Sequence, residues 1–151
     1  MTDPRVYLVR HAKAEKENPG GDARRRLTAE GRERFSALLR ELGAELAVTR
    51  VLTSPVARAR ETAELLARAA GCAVEEHPAL ASGTSGGREI LELAARAGAG
   101  AALVGHNPEL AEAVAIAAGR EEELKPGAVA AVDLLAGSPR LAWLRRPPKV
   151  A

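Results

Sequence analysis

Apolar and polar positions alternate along the chain in blocks of two kinds. Apolar runs of three to five residues predict buried strands, whereas longer stretches with apolar residues every third or fourth position predict amphipathic helices. The predicted strands cover residues 6–9, 50–53, 73–75 and 101–104, and the predicted helices cover 29–46, 56–70, 88–97 and 108–118. Strands therefore alternate with helices through most of the chain.

The remaining apolar segments predict a closing β-hairpin. Its strands are residues 129–135 and 141–144, and the turn between them is Gly137-Ser138-Pro139, which is rich in turn-forming residues. Alternating strands and helices are typical of a parallel sheet that is covered by helices. The pattern predicts an α/β fold, namely a three-layer α/β/α sandwich with a mostly parallel central sheet and a C-terminal antiparallel hairpin.

Composition sets the size class and argues against one class of partner. With 151 residues, of which 46% are hydrophobic, the chain is long enough to bury one core, so we expect a single domain over residues 1–151. There are 22 Lys and Arg against 20 Asp and Glu, and one Phe, one Tyr and one Trp. This balanced charge and the lack of aromatic stacking residues argue against nucleic acid binding.

We expect a cytoplasmic protein. The N-terminus runs from Met1 straight into a predicted strand, which leaves no room for a signal sequence or a membrane span. Cys72 is the single cysteine, so no intramolecular disulfide and no oxidising compartment are implied. The sequence leaves the oligomeric state open.

Polar and charged residues lie at the ends of three predicted strands. Arg10-His11 ends the first, Ser54-Pro55 follows the second, and Gly105-His106-Asn107-Pro108 follows the fourth. The carboxyl ends of parallel strands line the ligand crevice of an open sheet, so these residues are expected to meet there. Ser54 and Asn107 fit the N-cap position of the next helix, each before a proline, and both are also candidate phosphate-binding residues.

This crevice is expected to bind a phosphoryl group and to transfer it. Two helix N-termini and the Arg58 guanidinium would attract phosphate oxygens. A neutral imidazole can attack phosphorus, and neighbouring guanidinium groups would lower the pKa of a histidine there and keep it neutral. Two histidines and several arginines therefore predict phosphoryl transfer through a phosphohistidine. No acidic cluster with metal-ligand spacing is visible in the sequence.

Four blocks of sequence, in a fixed order, resemble one known family. The blocks are Leu8-Val9-Arg10-His11, Leu27-Thr28-Ala29-Glu30-Gly31, Ser54-Pro55 followed by Arg58-Ala59 and Thr62-Ala63, and Val104-Gly105-His106-Asn107-Pro108. Together they resemble the histidine phosphatase superfamily, the phosphoglycerate mutase-like group. Within that group the short chain is similar to the SixA-like phosphohistidine phosphatases, which act on histidine-containing phosphotransfer domains.

The resemblance implies a function and a set of site residues. It implies a phosphoglycerate mutase-like fold and a metal-independent phosphatase that needs no cofactor. His11 would be the nucleophile that carries the phosphoryl group. Arg10, Arg58 and His106 would complete the phosphate pocket, and Arg25 would support it.

The segment after the third predicted strand departs from the family pattern. Larger relatives place a catalytic acid there, whereas this chain reads His77-Pro78-Ala79-Leu80-Ala81-Ser82-Gly83, without a carboxylate. A general acid typically contributes about 10²–10⁴ in rate, and a leaving imidazole needs this help less than a leaving alkoxide does. The missing acid favours a phosphohistidine substrate. Asp22 is the best remaining candidate acid, ahead of Glu15 and Glu17.

Three hypotheses for the function follow. The first is a phosphatase that removes phosphoryl groups from phosphohistidine on a protein, which the short loops favour because a protein-borne group needs an accessible crevice. The second is a small-molecule phosphomonoesterase with Asp22 as the acid. The third is a non-catalytic phosphate-binding or phosphorelay-docking module. The expected partner is a phosphohistidine-bearing protein or a small phosphorylated substrate, with no role for nucleic acid or a membrane.

Overall fold

The computed structural model describes residues 4–135 and 138–149. The strands are β1 (Arg5–Arg10), β2 (Arg50–Thr53), β3 (Val74–Glu76), β4 (Ala101–Gly105), β5 (Val129–Leu135) and β6 (Ser138–Arg145). The α-helices are α1 (Ala29–Leu42), α2 (Ala57–Ala70), α3 (Gly87–Ala97) and α4 (Glu109–Ala118). Short 3-10 helices cover Asp22–Arg24, Gly43–Glu45 and Pro78–Leu80.

The strands form one sheet in the order β3-β2-β4-β1-β5-β6. The pairs β3–β2, β2–β4 and β4–β1 are parallel, and the pairs β1–β5 and β5–β6 are antiparallel. The last pair is the predicted C-terminal hairpin. The expected mostly parallel α/β sheet is therefore confirmed.

Helices cover both faces of this sheet. On one face α1 and α2 pack on alternate residues of β1, so that Phe35 and Val9 lie in the same buried cluster. On the other face α3 and α4 pack on the intervening residues, and Ile90 and Leu8 share a second cluster. Successive residues of a strand point to opposite faces, so one strand serves both cores. The result is the expected three-layer sandwich.

Helix α1 is shorter than its apolar periodicity predicted. It ends at Leu42 rather than at residue 46, because Gly43 takes a φ of 47° and its N–H bonds to the carbonyl oxygen of Leu39. A positive φ of this kind suits glycine and stops the helical path. The chain continues as a 3-10 helix, and Leu46 still packs against the core from outside the helix.

Strand β6 begins at Ser138, earlier than the predicted start at residue 141. Ser138 and Pro139 belong to β6, where they pair with Leu135 and Leu134, so the expectation that both form the turn is wrong. Gly137, the other expected turn residue, lies outside the described residues. Because β6 is an edge strand, it can accommodate a proline, which has no N–H to give to a neighbouring strand.

Two helices begin later than predicted. The N-cap of α2 is Val56 and the N-cap of α4 is Pro108, and neither helix is capped by a side chain. The expectation that Ser54 and Asn107 are N-caps is therefore wrong. Both residues lie upstream of the helix start, and their side chains bind other partners instead: Ser54 binds His106, and Asn107 binds the carbonyl oxygen of Leu124 in the loop before β5.

Candidate active site

The carboxyl ends of β1, β2 and β4 lie side by side at one edge of the sheet. Register pairs Arg10 with Gly105 and Thr53 with Val104, so the residues that follow these strands emerge together. The backbone N–H of His11 donates to the carbonyl oxygen of Gly105 at 3.1 Å. The structure thus gathers His11, Ser54 and His106 at the place that the sequence predicted.

The imidazole of His11 is held in one tautomer. Its Nδ1 lies 2.8 Å from the carbonyl oxygen of Ala12, and since a carbonyl only accepts, Nδ1 carries the hydrogen. Nε2 therefore has a free lone pair. Burial lowers the pKa of His11 to about 4, with smaller contributions from His106, Arg58 and Arg10, while the bond to Ala12 acts in the opposite direction. The ring is neutral at pH 7.

His106 lies beside His11 and is 4% exposed. The two ring centroids are 5.2 Å apart, and Nε2 of His106 is hydrogen bonded to Oγ of Ser54 at 2.8 Å. The pKa of His106 is lowered to about 4, mainly by burial and secondly by the charge of Arg58. Neighbouring arginines were the expected cause of a lowered histidine pKa, but burial is the larger cause for both rings.

Arg10 has an unpaired donor inside the site. Its Nη1 donates to the carbonyl oxygen of Leu124 at 3.1 Å, but its buried Nε has no hydrogen-bond partner among the described residues. Burial lowers the pKa of Arg10 from its usual value. Buried N–H groups are almost always paired, so this donor is suited to an anionic acceptor such as a phosphate oxygen.

Arg58 is buried and is held by the loop that precedes α1. Its guanidinium donates from Nη1 to the carbonyl oxygen of Asp22 at 2.9 Å and from Nη2 to Oδ2 of Asp22 at 3.2 Å. Arg25 donates to Oδ1 of the same carboxylate at 3.0 Å and to the carbonyl oxygen of Glu15 at 2.6 Å. Arg25 is therefore linked to Arg58 only by way of Asp22, and its described hydrogen bonds are to residues of the loop before α1.

The surroundings of Asp22 favour its ionised form. The hydrogen bond from Arg25 and then the charge of Arg58 lower the pKa of this carboxyl group, whose side chain is 69% exposed. A general acid must hold a proton at the working pH, which is the opposite tendency. The role of Asp22 as an acid stays a prediction, and the lowered pKa of its carboxyl group argues against that role.

Ser54 and Asn107 have structural partners that their sequence positions did not reveal. Ser54 is fully buried, and its hydroxyl bonds to His106. The amide nitrogen of Asn107 donates to the carbonyl oxygen of Leu124 at 3.0 Å, while its buried Oδ1 has no partner within the described part of the chain. Direct contact of either residue with phosphate stays a prediction.

Thr62 and Leu124 support the site and were not predicted as functional residues. Oγ1 of Thr62 accepts the N–H of Ala12 at 3.0 Å and donates to the carbonyl oxygen of Arg58 at 2.8 Å. The carbonyl oxygen of Leu124 accepts from both Arg10 and Asn107. Thr62 belongs to one of the four sequence blocks, so the sequence could have pointed to it. The role of a backbone carbonyl cannot be inferred from the identity of its residue.

One more carboxylate lies near the strand ends. Glu109 is 8% exposed and comes three positions after His106, and within residues 4–135 and 138–149 it makes no ion pair. The same described residues contain no group of three or more His, Cys, Asp and Glu side chains that could hold a metal ion. None of their helices is long and apolar enough to cross a bilayer.

Comparison with known families decides the classification. The profile of the histidine phosphatase superfamily (branch 1) matches residues 6–121, which include all three strand ends of the site. The chain belongs to the histidine phosphatase superfamily. No curated protein sequence matches the chain significantly.

Solved structures confirm the fold of this histidine phosphatase. A protein histidine phosphatase SixA complexed with tungstate superposes with a TM-score of 0.82 and 24% identity, over 95% of this chain and 97% of that one. The protein assigned as SixA from Agrobacterium tumefaciens superposes with a TM-score of 0.83 and 24% identity, over 97% of this chain and 100% of that one. A mutant phosphoserine phosphatase from Entamoeba histolytica, in complex with phosphoserine, superposes with a TM-score of 0.70 and 15% identity, over 93% of this chain and 95% of that one. The predicted superfamily and fold are confirmed.

Proposed function

We propose that this histidine phosphatase removes the phosphoryl group from phosphohistidine on a protein, with His11 as the nucleophile. The observation that carries the proposal is the state of His11: a neutral ring whose Nδ1–H is bound to Ala12, whose Nε2 lone pair is free, and which lies 5.2 Å from His106 between ring centroids. Arg10 and Arg58 lie close enough to His11 for their charges to act on its ring, and they would hold the phosphate oxygens. A neutral nitrogen nucleophile beside fixed positive charge suits attack on phosphorus.

The proposed reaction has two displacement steps. The Nε2 lone pair of His11 attacks phosphorus, the P–N bond to the substrate imidazole breaks, and that imidazole leaves after taking a proton from solvent. Water then attacks the phosphoryl group on His11, which releases inorganic phosphate and restores the neutral ring. Arg10 and Arg58 stabilise the charge that develops on the equatorial oxygens in both steps.

The preference for a P–N bond rests on the two places where the sequence leads one to expect an acid, residues 77–83 and Asp22, and Glu109 at the start of α4 belongs to neither. Residues 77–83 contain none, and part of this segment forms the 3-10 helix Pro78–Leu80. Asp22 is ion-paired with Arg25 and Arg58, which lowers its pKa and leaves it without a proton to give. An alkoxide leaving group needs such a proton more than an imidazole does.

Two peptides of identical sequence, one with phosphohistidine and one with phosphoserine, test the substrate preference. We expect kcat/KM to be higher for phosphohistidine by about 10² or more, which is the size of a missing general-acid contribution. His11→Ala should abolish hydrolysis of both peptides while the far-UV circular dichroism and the melting temperature stay unchanged. A higher kcat/KM for the phosphoserine peptide would refute the proposal.

The second candidate is a small-molecule phosphomonoesterase that uses Asp22 as its acid. The similar fold of a phosphoserine phosphatase favours it, since that protein binds a phosphate ester. Asp22→Asn separates the two candidates. An acid role predicts a loss of about 10²–10⁴ in kcat for ester substrates, whereas the ion pairs seen here predict a loss below about tenfold for phosphohistidine.

The remaining expectations belong to the same proposal. The partner would be a protein that carries the phosphohistidine, with no role for nucleic acid, and the location would be cytoplasmic. We propose that residues 1–151 form one domain, since β1 contributes to both buried clusters. Ser54 would position His106, and Arg25 would position Arg58 through Asp22.

A further inference from the structure

A groove of about 670 Å³ lies next to the segment that carries the proposed nucleophile. Ala12 and Lys13, the two residues after His11, form part of its wall. The loop before β5 forms another part, and the N–H of Gly127 in that loop donates to the carbonyl oxygen of His11 at 3.0 Å. Any molecule in the groove would therefore be a neighbour of the active site.

Basic side chains line this groove, and no carboxylate is among its lining residues. The basic groove is defined by Lys13, Arg34, Lys125, Arg146 and Lys149. These residues come from four separate segments, namely the segment after β1, helix α1, the loop before β5 and the tail after β6. The whole chain has a formal charge of only +2, so this is a local concentration of positive charge.

Neighbouring carboxylates offset part of this charge and leave the rest. Glu30 pairs with Lys13 at 3.3 Å and with Arg34 at 3.5 Å, and Glu123 pairs with Lys125 at 2.8 Å. Arg146 and Lys149 are exposed, and neither forms an ion pair within the part of the chain that the structure describes. The basic groove therefore keeps a net positive charge that faces solvent.

The shape and chemistry of the basic groove suit a protein surface. No aromatic side chain lines it, so a nucleotide base would find nothing to stack on. The cations stand on long, mostly exposed side chains instead of converging on one buried point, as a small-anion site would require. Arg34 also holds the tail in place, since it donates to the carbonyl oxygens of Pro147 at 3.2 Å and Pro148 at 3.0 Å.

We infer that the basic groove docks an acidic surface of the phosphoprotein substrate, next to the phosphohistidine that enters the active site. This inference rests on the proposed function, because it names the chemistry of that function's partner. Charge complementarity of this kind accelerates encounter and selects partners, and its effect is screened by salt.

Two substrate peptides and one variant test the inference. Both peptides carry one phosphohistidine, flanked by Asp and Glu in the first and by Asn and Gln in the second. The wild-type protein should show a kcat/KM about tenfold or more higher for the acidic peptide, and this preference should shrink as salt rises. In the triple variant Lys125→Glu, Arg146→Glu, Lys149→Glu the preference should be lost.

A matched variant controls for the change in net charge. Arg40, Arg68 and Arg96 are exposed residues in the last turns of α1, α2 and α3, away from the strand ends of the site. Their triple replacement by Glu changes the charge by the same amount and should keep the preference for the acidic peptide. Far-UV circular dichroism and melting temperatures should confirm that both variants fold.

Binding of the same peptides without the phosphoryl group separates the inference from the proposed function. Fluorescence anisotropy should show that the wild-type protein binds the acidic peptide more tightly than the amide peptide. If the wild-type protein hydrolyses both phosphopeptides with equal kcat/KM, or the groove variant keeps the preference, the docking inference is wrong and the proposed function stands. If the acidic peptide binds preferentially but its phosphohistidine is not hydrolysed, docking stands and the proposed function is wrong.

Discussion

The surroundings of His11 suit it to the proposed role of nucleophile at neutral pH. The carbonyl oxygen of Ala12 fixes the hydrogen on Nδ1, and burial keeps the ring uncharged. A protonated ring would have no lone pair for attack on phosphorus. The same burial acts on His106, so both rings of the site are expected to be neutral through the physiological range.

Nuclear magnetic resonance titration of the histidine side chains tests this state directly. His11 and His106 should titrate near pH 4, so kcat/KM should fall as the pH drops through about 4. In the unfolded chain a histidine titrates near 6.5 and binds its proton first, so the free energy of unfolding should fall as the pH drops from about 6.5 to about 4. Midpoints near 6.5 for both rings in the folded protein would contradict this account.

Thr62 holds the residue after the proposed nucleophile through its hydroxyl group. In Thr62→Val the buried N–H of Ala12 loses its acceptor, which should lower the free energy of unfolding by about 1–3 kcal/mol. Ala12, whose carbonyl oxygen sets the tautomer of His11, would also be held less firmly, so we expect kcat to fall by about tenfold with little change in KM. Thr62→Ser keeps the hydroxyl and should restore kcat. Full activity in Thr62→Val would show that Thr62 has only a structural role.

The residues of the site differ in how far sequence could predict them. The positions of His11, Arg58 and His106 follow from strand ends and motif order. The hydroxyl of Ser54 could not be assigned from its position, because a serine before a proline fits a helix cap as well as it fits a bond to His106. The carbonyl of Leu124 depends on how the loop before β5 folds back, which residue identity does not encode.

Among the elements, α1 lies close to the segment after β1. A Cβ at Gly31 would collide with the carbonyl oxygen of Lys13, which already accepts the N–H of Thr28 at 3.0 Å. The glycine of the Leu27-Thr28-Ala29-Glu30-Gly31 block is therefore explained by this close approach. The contact also sets the course of the chain just beyond His11.

Gly31→Ala should push α1 away from this segment. We expect the free energy of unfolding to fall by about 1–3 kcal/mol, as is typical when atoms are added to a closely packed contact. Urea denaturation gives the value. Gly86→Ala is the matched control, since a Cβ there would lie 3.6 Å from Oε1 of Glu89, an ordinary contact, and should cost less than about 1 kcal/mol. Equal losses in the two variants would show that the contact with Lys13 is unimportant.

Element boundaries were predicted less well than element types. Every predicted strand and helix is present, but α1 ends early, at Leu42, and α2 begins late, after Val56. Apolar periodicity runs on past a helix end, as Leu46 shows, because residues outside the helix can pack on the same core. Cap positions depend on local backbone angles, which the pattern of apolar residues does not specify.

For the whole molecule, the sheet connects the two cores. β1 lies between β4 and β5 and contributes alternate residues to both buried clusters, so neither helical layer has a core of its own. Alternation of strands and helices was sufficient to predict this architecture. The distribution of surface charge was not predicted, because the five cations of the basic groove lie on four segments that only the fold brings together.

Unfolding of the whole chain should be cooperative if residues 1–151 form one domain. Trp143 reports on β6, where its ring centroid lies 6.1 Å from that of Tyr7, and far-UV circular dichroism reports on all helices. The two signals should give coincident urea transitions with a single midpoint. Separate midpoints would show that the hairpin side unfolds independently and that the single-domain proposal is wrong.

The most direct test of the central claim is a rapid acid-free quench during turnover of a phosphohistidine substrate labelled with ³²P. We predict a phosphoryl label on His11 that is stable in alkali and lost in acid, as expected for phosphohistidine, with at most about one label per chain. His11→Ala should carry no label and show no turnover. Turnover at the wild-type rate with no label on His11 would contradict the account.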